Sequence, residues 1–456
     1  MMTHATRQQL RMVKLTQLRQ PRLLAVLLVF TLVALLIDGC NLVTPVPKTP
    51  YPAQIASPTN TAAAVQTLAP TIISQTLPVT LTIWVPPIMA PSANNDQGFL
   101  YSVTQSLLTA YPLLRPVILT KALLGPGGMA NLLIATKPVA PAQMPDLVVL
   151  DAAELSALER AGVLKPLDFL LPQALWDDSY PFALQAVRSG SSYIAVPFMA
   201  DLVLLVYNSE MVATPPRSWA ELPAARSEYI FPAGNGNGSS ADTMILQYLA
   251  LGGKLQQDDG RLTFDPTLAT QVLRNYRVAV DTGIIPANIR GLSTFEDCWE
   301  LYIAGEVGMT NVPYSLYERS RSQLTRSRYA IIPTLNGQTA TLAHCWVWII
   351  VTDDPDKQEM AARYIEAATQ PKQMASWARA QSQLPTRRSA LALTIDDLPF
   401  KQFLESLLSN AYPYPNLEAY SRIQEVIGRA IEGILDGLTT PERAAMNASA
   451  EIIRLR

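Results

Sequence analysis

The chain is short of charge, cysteine and histidine. Charged residues make up 16% of its 456 residues, below the ~25% usual for globular proteins, and the formal net charge is −2. This balance argues against a nucleic-acid partner, which would require a strongly basic face. Three cysteines are too few for a disulfide framework, and two histidines leave few candidates for metal or hydrolytic sites. No GxSxG or HExxH motif occurs, so we expect no catalytic residues, cofactor or metal. Paired carboxylates for glycoside hydrolysis remain an open alternative, because they need not be adjacent in sequence.

The N-terminal segment, residues 1–40, has the pattern of a signal peptide. A basic stretch without acidic residues precedes an apolar run from Leu23 to Ile37, which is interrupted only by Thr31. The run is shorter than the ~20 residues that a membrane span needs. Next, Ile37-Asp38-Gly39-Cys40 resembles a bacterial lipobox, with Cys40 as the lipidated residue, although Asp38 departs from the small uncharged residue usual there. The alternative is an uncleaved anchor or an ordinary signal, and each places the rest of the chain outside the cytoplasm.

Residues 41–78 are predicted to form an extended tether. They are rich in Pro, Thr, Ala, Ser and Gln, and Lys48 is their only charged residue. Such a composition cannot bury a core. The globular part is therefore expected to begin at about residue 79, held off a membrane surface.

Beyond the tether, apolar strand candidates alternate with amphipathic helices. The pattern predicts strands at 81–85, 115–120 and 146–151, and helices at 99–111 and 127–137. Buried strands that alternate with helices imply βαβ units and a mainly parallel sheet. The predicted fold class is therefore α/β.

Two long extended stretches, 193–208 and 329–351, interrupt this alternation. The first is too long for one strand and suits a chain that leaves one sheet and enters another; the second repeats the pattern. A second α/β region lies between them, with a helix at 264–285 and another that a capping box from Ser293 to Glu296 would open. Two lobes joined by two crossings make a hinge, and ligands bind in the cleft of such folds.

Five segments carry a family resemblance through their order and spacing. They are PDLVVLDAAELSALERAGVLKPLD (145–168), YIAVPFMADLVLLVYNSEMVATPPRSWAEL (193–222), AGEVGMTNVPY (304–314), LAHCWVWIIVTDDPDKQEMAARYIEAAT (342–369) and LPTRRSAL (384–391). In this order they resemble the extracellular solute-binding proteins of ABC transporters, in the family 1 branch of maltose-binding-like sugar receptors.

The resemblance implies a two-lobe Venus-flytrap fold of the type II periplasmic-binding-protein kind, and no enzymatic activity. It implies lobe I at 79–199, lobe II at 200–335, a return to lobe I at 336–384 and C-terminal helices at 385–456 that pack on lobe II. It further implies a monomer that captures a small polar solute, most simply a carbohydrate, and delivers it to ABC permease subunits. The alternative is a ligand-sensing lipoprotein coupled to a membrane sensor.

Six residues are candidate ligand contacts: Trp84, Asp201, Asn235, Tyr314, His344 and Trp346. Trp346 and Tyr314 match positions where the family often has an aromatic residue, and His344 stands where relatives often have glycine. Trp84 ends the first strand, Asp201 lies at the first crossing, and Asn235 belongs to a glycine-rich loop. Each residue has a structural alternative, namely packing for the aromatic residues and a turn or cap for Asp201.

The stretch TLAHCWVWII (341–350) is expected to be a strand with two different faces. His344, Trp346 and Trp348 would share one face, whereas Cys345 and its alternate neighbours would form a purely apolar face in the core. A disulfide between Cys345 and Cys298 is an open possibility outside the cell. A zinc site from these cysteines and His344 lacks a fourth ligand at a recognisable spacing.

Overall fold

The computed structural model describes residues 78–89, 98–123, 125, 127–234, 238–286 and 288–455. Its strands follow the apolar runs of the sequence, and the inner strands of the central sheet are largely buried on both faces. The strands are β1 (Val79–Val85), β2 (Leu114–Thr120), β3 (Leu147–Asp151), β4 (Arg188–Ser189), β5 (Ser192–Tyr193), β6 (Val196–Asn208), β7 (Tyr229–Ile230), β8 (Met309–Pro313), β9 (Ser327–Ala330), β10 (Thr341–Ile350), β11 (Leu384–Pro385) and β12 (Ala411–Pro413).

Helices separate most of the strands. They are α1 (Phe99–Ala110), α2 (Met129–Thr136), α3 (Leu155–Arg160), α4 (Gln173–Asp177), α5 (Pro181–Ala186), α6 (Ser239–Ala250), α7 (Pro266–Asp281), α8 (Phe295–Ile303), α9 (Tyr314–Ser320), α10 (Pro355–Ala368), α11 (Pro371–Gln381), α12 (Arg388–Thr394), α13 (Leu398–Ser409), α14 (Tyr420–Leu435) and α15 (Pro441–Ile452). Short 3-10 helices lie at Pro87–Met89, Pro141–Gln143, Ala152–Glu154, Trp219–Ala225, Ile289–Gly291 and Arg321–Gln323.

The strands join into one sheet path in the order β2–β1–β3–β10–β6–β8–β7. β1 pairs in parallel with both β2 and β3, because the helices α1 and α2 carry the chain back between them. β10 runs antiparallel to β3 and to β6. We call the layers around β1, β2, β3, β10 and the start of β6 the first lobe.

β6 is a single strand of 13 residues, and its two halves pair with different groups of strands. Its first half, from Val196 to Leu202, pairs with β10 and β11, and its second half, from Val203 to Asn208, pairs with β8 and β9. The prediction that this stretch is too long for one strand is wrong, since one continuous strand runs through it. The change of pairing partners halfway along this strand agrees with the predicted passage of the chain. We call the layers around β7, β8, β9 and the end of β6 the second lobe.

The second extended stretch is less regular than its sequence suggested. β9 and β10 are separated by a segment at 331–340 without a strand, and β12 lies parallel to β10 beside it. β12 was not expected, because a three-residue strand in a helical region leaves no periodic signal.

The alternation of side chains along β10 follows the prediction. Cys345, Val347 and Ile349 belong to one buried cluster, whereas Trp348 and Ile350 belong to another on the opposite face of the sheet. Both faces are covered because helices such as α1 and α10 pack on one side and α2 and α3 lie on the other. Trp348 is 0% exposed, so its predicted role in packing is confirmed.

Two helix starts test the capping signals of the sequence. Asp354 caps α10 with its side chain, and Pro355 is the first residue of the helix. Proline is tolerated there because the N–H that it lacks would have no partner within the helix. The capping box of α8 begins at Thr294, one residue later than the predicted Ser293. The sequence contains two overlapping pairs with the right spacing, Ser293 with Glu296 and Thr294 with Asp297. In the structure the Thr294 hydroxyl accepts from the Asp297 N–H.

The C-terminal helices divide between the lobes. α14 and α15 contact α6 and α7 of the second lobe, whereas α12 contacts α11 of the first lobe. Across the described part of the chain, none of the helices combines the length and the apolar character that a membrane crossing requires.

Candidate functional site

A recess of about 300 Å³ opens where β6 passes from one sheet into the other. Its lining comes from the start of α2, the ends of β3 and β11, and the middle of β6 and β10. The lining residues are Leu123, Met129, Ala130, Leu150, Asp151, Glu154, Asp201, His344, Trp346 and Gln383. Three of the six predicted contacts, Asp201, His344 and Trp346, therefore meet in one place.

Trp346 is the only tryptophan, tyrosine or phenylalanine among the described lining residues of the recess. It is half-buried and lies between Asp151 of β3 and Met199 of β6 in the sheet. The pairing of β10 with β6 shifts register between Trp346 and Val347, so the strand bends at this ring. An indole in this position presents an apolar face to whatever enters the recess.

His344 is held by a carboxylate and by an aromatic ring. Its Nδ1 lies 3.2 Å from Oδ2 of Asp151, and its ring stacks on Tyr414 with 3.7 Å between centroids. Its cross-strand neighbour is Asp201. Burial alone would lower the pKa of His344, but the hydrogen bond with Asp151 and the negative charges of Asp151, Asp201 and Asp242 outweigh it, so the pKa is raised.

Asp201 works as a remote cap for helix α9. Ser315 donates its backbone N–H to Oδ1 at 3.0 Å and its hydroxyl to Oδ2 at 2.5 Å. The residue at the N-cap position is Pro313, whose side chain has no acceptor. Burial raises the pKa of Asp201, and this effect outweighs the hydrogen bonds from Ser315 and the nearby charges of His344 and Arg319, which lower it. Both oxygens of Asp201 are thus engaged within the protein, although the side chain borders the recess.

A second carboxylate on the other lobe completes the surroundings of His344. Asp242, in the first turn of α6, accepts hydrogen bonds from Tyr420 at 2.8 Å and Gln424 at 2.7 Å. Burial and, next, the negative charge of Asp242 raise the pKa of the Tyr414 hydroxyl, whose ring stacks on His344. Burial raises the pKa of Asp242 despite these donors. His344 is therefore paired with Asp151 in the first lobe, and the negative charge of Asp242 in the second lobe also acts on it.

Three lining residues carry polar groups that the sequence did not single out as ligand contacts. Asp151 caps the 3-10 turn after β3 by accepting from the N–H of Ala153, and it also holds His344. Glu154 and Gln383 enter the recess from segments that are far apart in sequence. The sequence marks Glu154 only as the last residue of the capping-box pattern Asp151-Ala-Ala-Glu154, and it marks neither Glu154 nor Gln383 as a ligand contact.

The other predicted contacts lie elsewhere. Trp84 is 7% exposed, with the Lys121 ammonium 5.0 Å from its ring centroid, and Tyr314 is 2% exposed and stacked on Phe400. Neither lines the recess. Asn235 and Cys40 lie outside the described residues.

The two described cysteines are free, buried thiols. Burial raises the pKa of both Cys298 and Cys345 well above the usual range, so each behaves as a small apolar side chain. Within the described ranges no group of three or more His, Cys, Asp or Glu side chains is arranged to hold a metal ion.

Comparison with known families decides the class of the protein. A family described as bacterial extracellular solute-binding protein matches residues 130–399, more than half of the chain. The chain belongs to this family. The match contains β3, β6, β10 and β11, and therefore most of the lining of the recess.

Individual relatives of this solute-binding protein are more distant. A maltotriose-binding protein of Pyrococcus abyssi is 32% identical over 99 residues, and this alignment spans 22% of each protein. The cyclic alpha-maltosyl-1,6-maltose binding protein of Arthrobacter globiformis has a TM-score of 0.68 at 16% identity, covering 83% of this chain and 99% of that one. The sugar-binding protein MalE of Xanthomonas citri has a TM-score of 0.67 at 16% identity, covering 82% and 96%. At these identities the likeness establishes the fold, and the predicted two-lobe α/β fold is confirmed.

Proposed function

We propose that this solute-binding protein captures a small carbohydrate in the recess and delivers it to an ABC importer. The observation that carries the proposal is the half-buried Trp346 ring, which faces a recess with carboxylate, amide and imidazole groups around it. A sugar ring offers C–H groups to an indole face and hydroxyls to polar side chains, so this combination suits it. The names of the relatives, which refer to maltotriose and maltosyl-maltose, point to the same class of ligand.

Binding would act through closure of the two lobes. The recess lies along β6 where its pairing partners change, and His344 in its lining is influenced by Asp151 of the first lobe and by the charge of Asp242 of the second. A ligand shifts such an equilibrium only by the contacts that it makes better in one state than in the other. The closed, loaded protein would then present one surface to the permease.

We further propose the arrangement of the whole chain. Residues 1–40 act as a signal peptide, Cys40 carries a lipid that anchors the protein to the membrane, and residues 41–78 form the tether. Lobe I consists of 79–199 and 336–384 and lobe II of 200–335, while of the C-terminal helices α12 joins lobe I and α14 and α15 join lobe II. The protein works as a monomer.

A thermal-shift screen tests the carbohydrate assignment. Ligands that bind only the folded protein raise the melting temperature as their concentration exceeds Kd. We expect at least one mono- or disaccharide in a panel of sugars, amino acids and peptides to raise it. If amino acids or peptides stabilise the protein and no sugar does, the carbohydrate assignment is wrong.

A further inference from the structure

Most polar groups of the recess are already engaged within the protein. Both oxygens of Asp201 accept from Ser315, and the oxygens of Asp151 accept from Ala153 and contact His344. These side chains shape the recess, but their hydrogen-bonding capacity is largely used.

Gln383 differs from this pattern. It is only 7% exposed and lines the recess, and the described residues form no hydrogen bond with its side-chain amide. The amide nitrogen and oxygen are not among the fully buried polar atoms that lack a partner, so they reach the open space of the recess. An amide that the protein leaves unpaired at the wall of a recess is available to a ligand, because buried polar side chains are nearly always hydrogen-bonded. Ser382, which precedes it, ends α11 with a φ of 53° in the left-handed region, as is common at helix C-termini.

Glu154 is the second group without a partner. It ends the 3-10 turn that Asp151 caps, lines the recess, and forms no hydrogen bond or ion pair through its carboxylate with any described residue. Burial, and to a lesser extent the charge of Asp151, raises the pKa of Glu154. A carboxylate in this position is stabilised by a cation that arrives from outside.

The charges of the lining residues also favour a ligand that carries a positive group. Asp151, Glu154 and Asp201 are acidic, His344 is the only basic group, and no described lining residue is a lysine or arginine. The volume of about 300 Å³ is at the lower end of the ~300–1,000 Å³ range of small-molecule sites. The recess is therefore compact and carries uncompensated negative charge.

We propose that the recess selects an amine-bearing sugar of about one ring, with its ammonium group on Glu154, its hydroxyls on Gln383 and its apolar face on Trp346. This inference rests on the proposed carbohydrate-binding function and narrows it. A neutral sugar would leave the Glu154 charge uncompensated, and a sugar acid would add to the repulsion.

Calorimetric titration with three sugars of similar shape tests the inference. The probes are D-glucosamine, D-glucose and D-glucuronate at neutral pH, and putrescine is added as an amine without a sugar ring. We expect glucosamine to bind about tenfold or more tightly than glucose, because a hydrogen bond between charged groups is worth that much, and we expect glucuronate to bind most weakly.

Substitutions assign the effect to the two groups. Glu154→Gln keeps the size of the side chain and should remove the preference for glucosamine while changing glucose affinity less than about threefold. Gln383→Met should weaken both sugars alike. Glu300→Gln is the matched control, because Glu300 is exposed on α8 outside the recess, and should change nothing.

The outcomes separate this inference from the proposed function. If glucose binds as well as glucosamine, or if Glu154→Gln weakens both equally, the inference is wrong and carbohydrate binding stands. If putrescine binds and no sugar does, the sugar part is wrong, while the assignment of Glu154 as the partner of a cation is supported. If none of the amines binds, the inference is overturned.

Discussion

The pair formed by Asp201 and Ser315 provides the sharpest test of how the two lobes are joined. Asp201 lies on the strand that passes between the sheets, and its carboxylate accepts two hydrogen bonds from Ser315 at the start of α9. Ser315→Ala removes the hydroxyl donor and leaves the backbone N–H in place. Asp201→Ala removes the acceptor of both bonds, and α9 then has no side-chain cap.

The expected magnitude follows from the charge of the acceptor. A hydrogen bond to a charged group contributes about 1.5–3 kcal/mol to stability. Burial of Asp201 raises its pKa and disfavours the charged form, so we expect the lower end of this range for Ser315→Ala. Asp201→Ala should cost more, about 2–4 kcal/mol, because the backbone N–H and the helix N-terminus also lose their partner.

Urea unfolding of the wild-type protein, both single variants and the double variant gives the coupling energy directly. We expect a coupling of about 1.5 kcal/mol with unchanged m-values. A coupling below about 0.5 kcal/mol would show that Asp201 does not hold α9 through the Ser315 hydroxyl. An affinity for sugar that falls in Asp201→Ala with no loss of stability would instead assign Asp201 to ligand contact.

Two further predictions concern single side chains of β10. The raised pKa of His344 means that its pairing with Asp151 contributes fully below the unfolded value of about 6.5 and is lost as pH rises through the folded value. The difference in stability between the wild-type protein and His344→Gln, measured by thermal unfolding, should therefore shrink from pH 5.5 to pH 9. At the acidic end this difference should be at most about 1 kcal/mol, since the side chain is 47% exposed. A stability difference that is constant with pH would refute this prediction. Trp348→Ala should destabilise the protein by about 3–5 kcal/mol in urea unfolding, because the ring is fully buried, and a loss below about 1 kcal/mol would contradict its assignment to the core.

The elements of the fold were largely predictable because their signals are local. Alternation along β10 separated Cys345 from Trp348 correctly, and the apolar length of 193–208 indicated a change of sheet. Local signals failed where two solutions fit equally well. The capping box of α8 is an example, since the pair that begins at Ser293 and the pair that begins at Thr294 have the same spacing.

The site was predictable only in part. Trp346 and His344 were expected to face a cleft from their position on one strand, and they line the recess. Trp84 and Tyr314 were chosen for strand ends and aromatic character, but Lys121 and Phe400 cover them, and such covering depends on tertiary packing. Glu154 and Gln383 could not be recognised from sequence as ligand contacts, because only the fold brings these distant segments to the recess.

The central claim is that a sugar binds against Trp346 in the recess. The most direct measurement is a calorimetric titration of the best sugar from the thermal-shift screen into the wild-type protein, Trp346→Ala and the control Trp84→Phe. We expect Trp346→Ala to weaken binding about tenfold or more, since the ring supplies both apolar area and its aromatic face, and Trp84→Phe to leave it unchanged. Unchanged affinity in Trp346→Ala, with a loss in Trp84→Phe, would contradict the account.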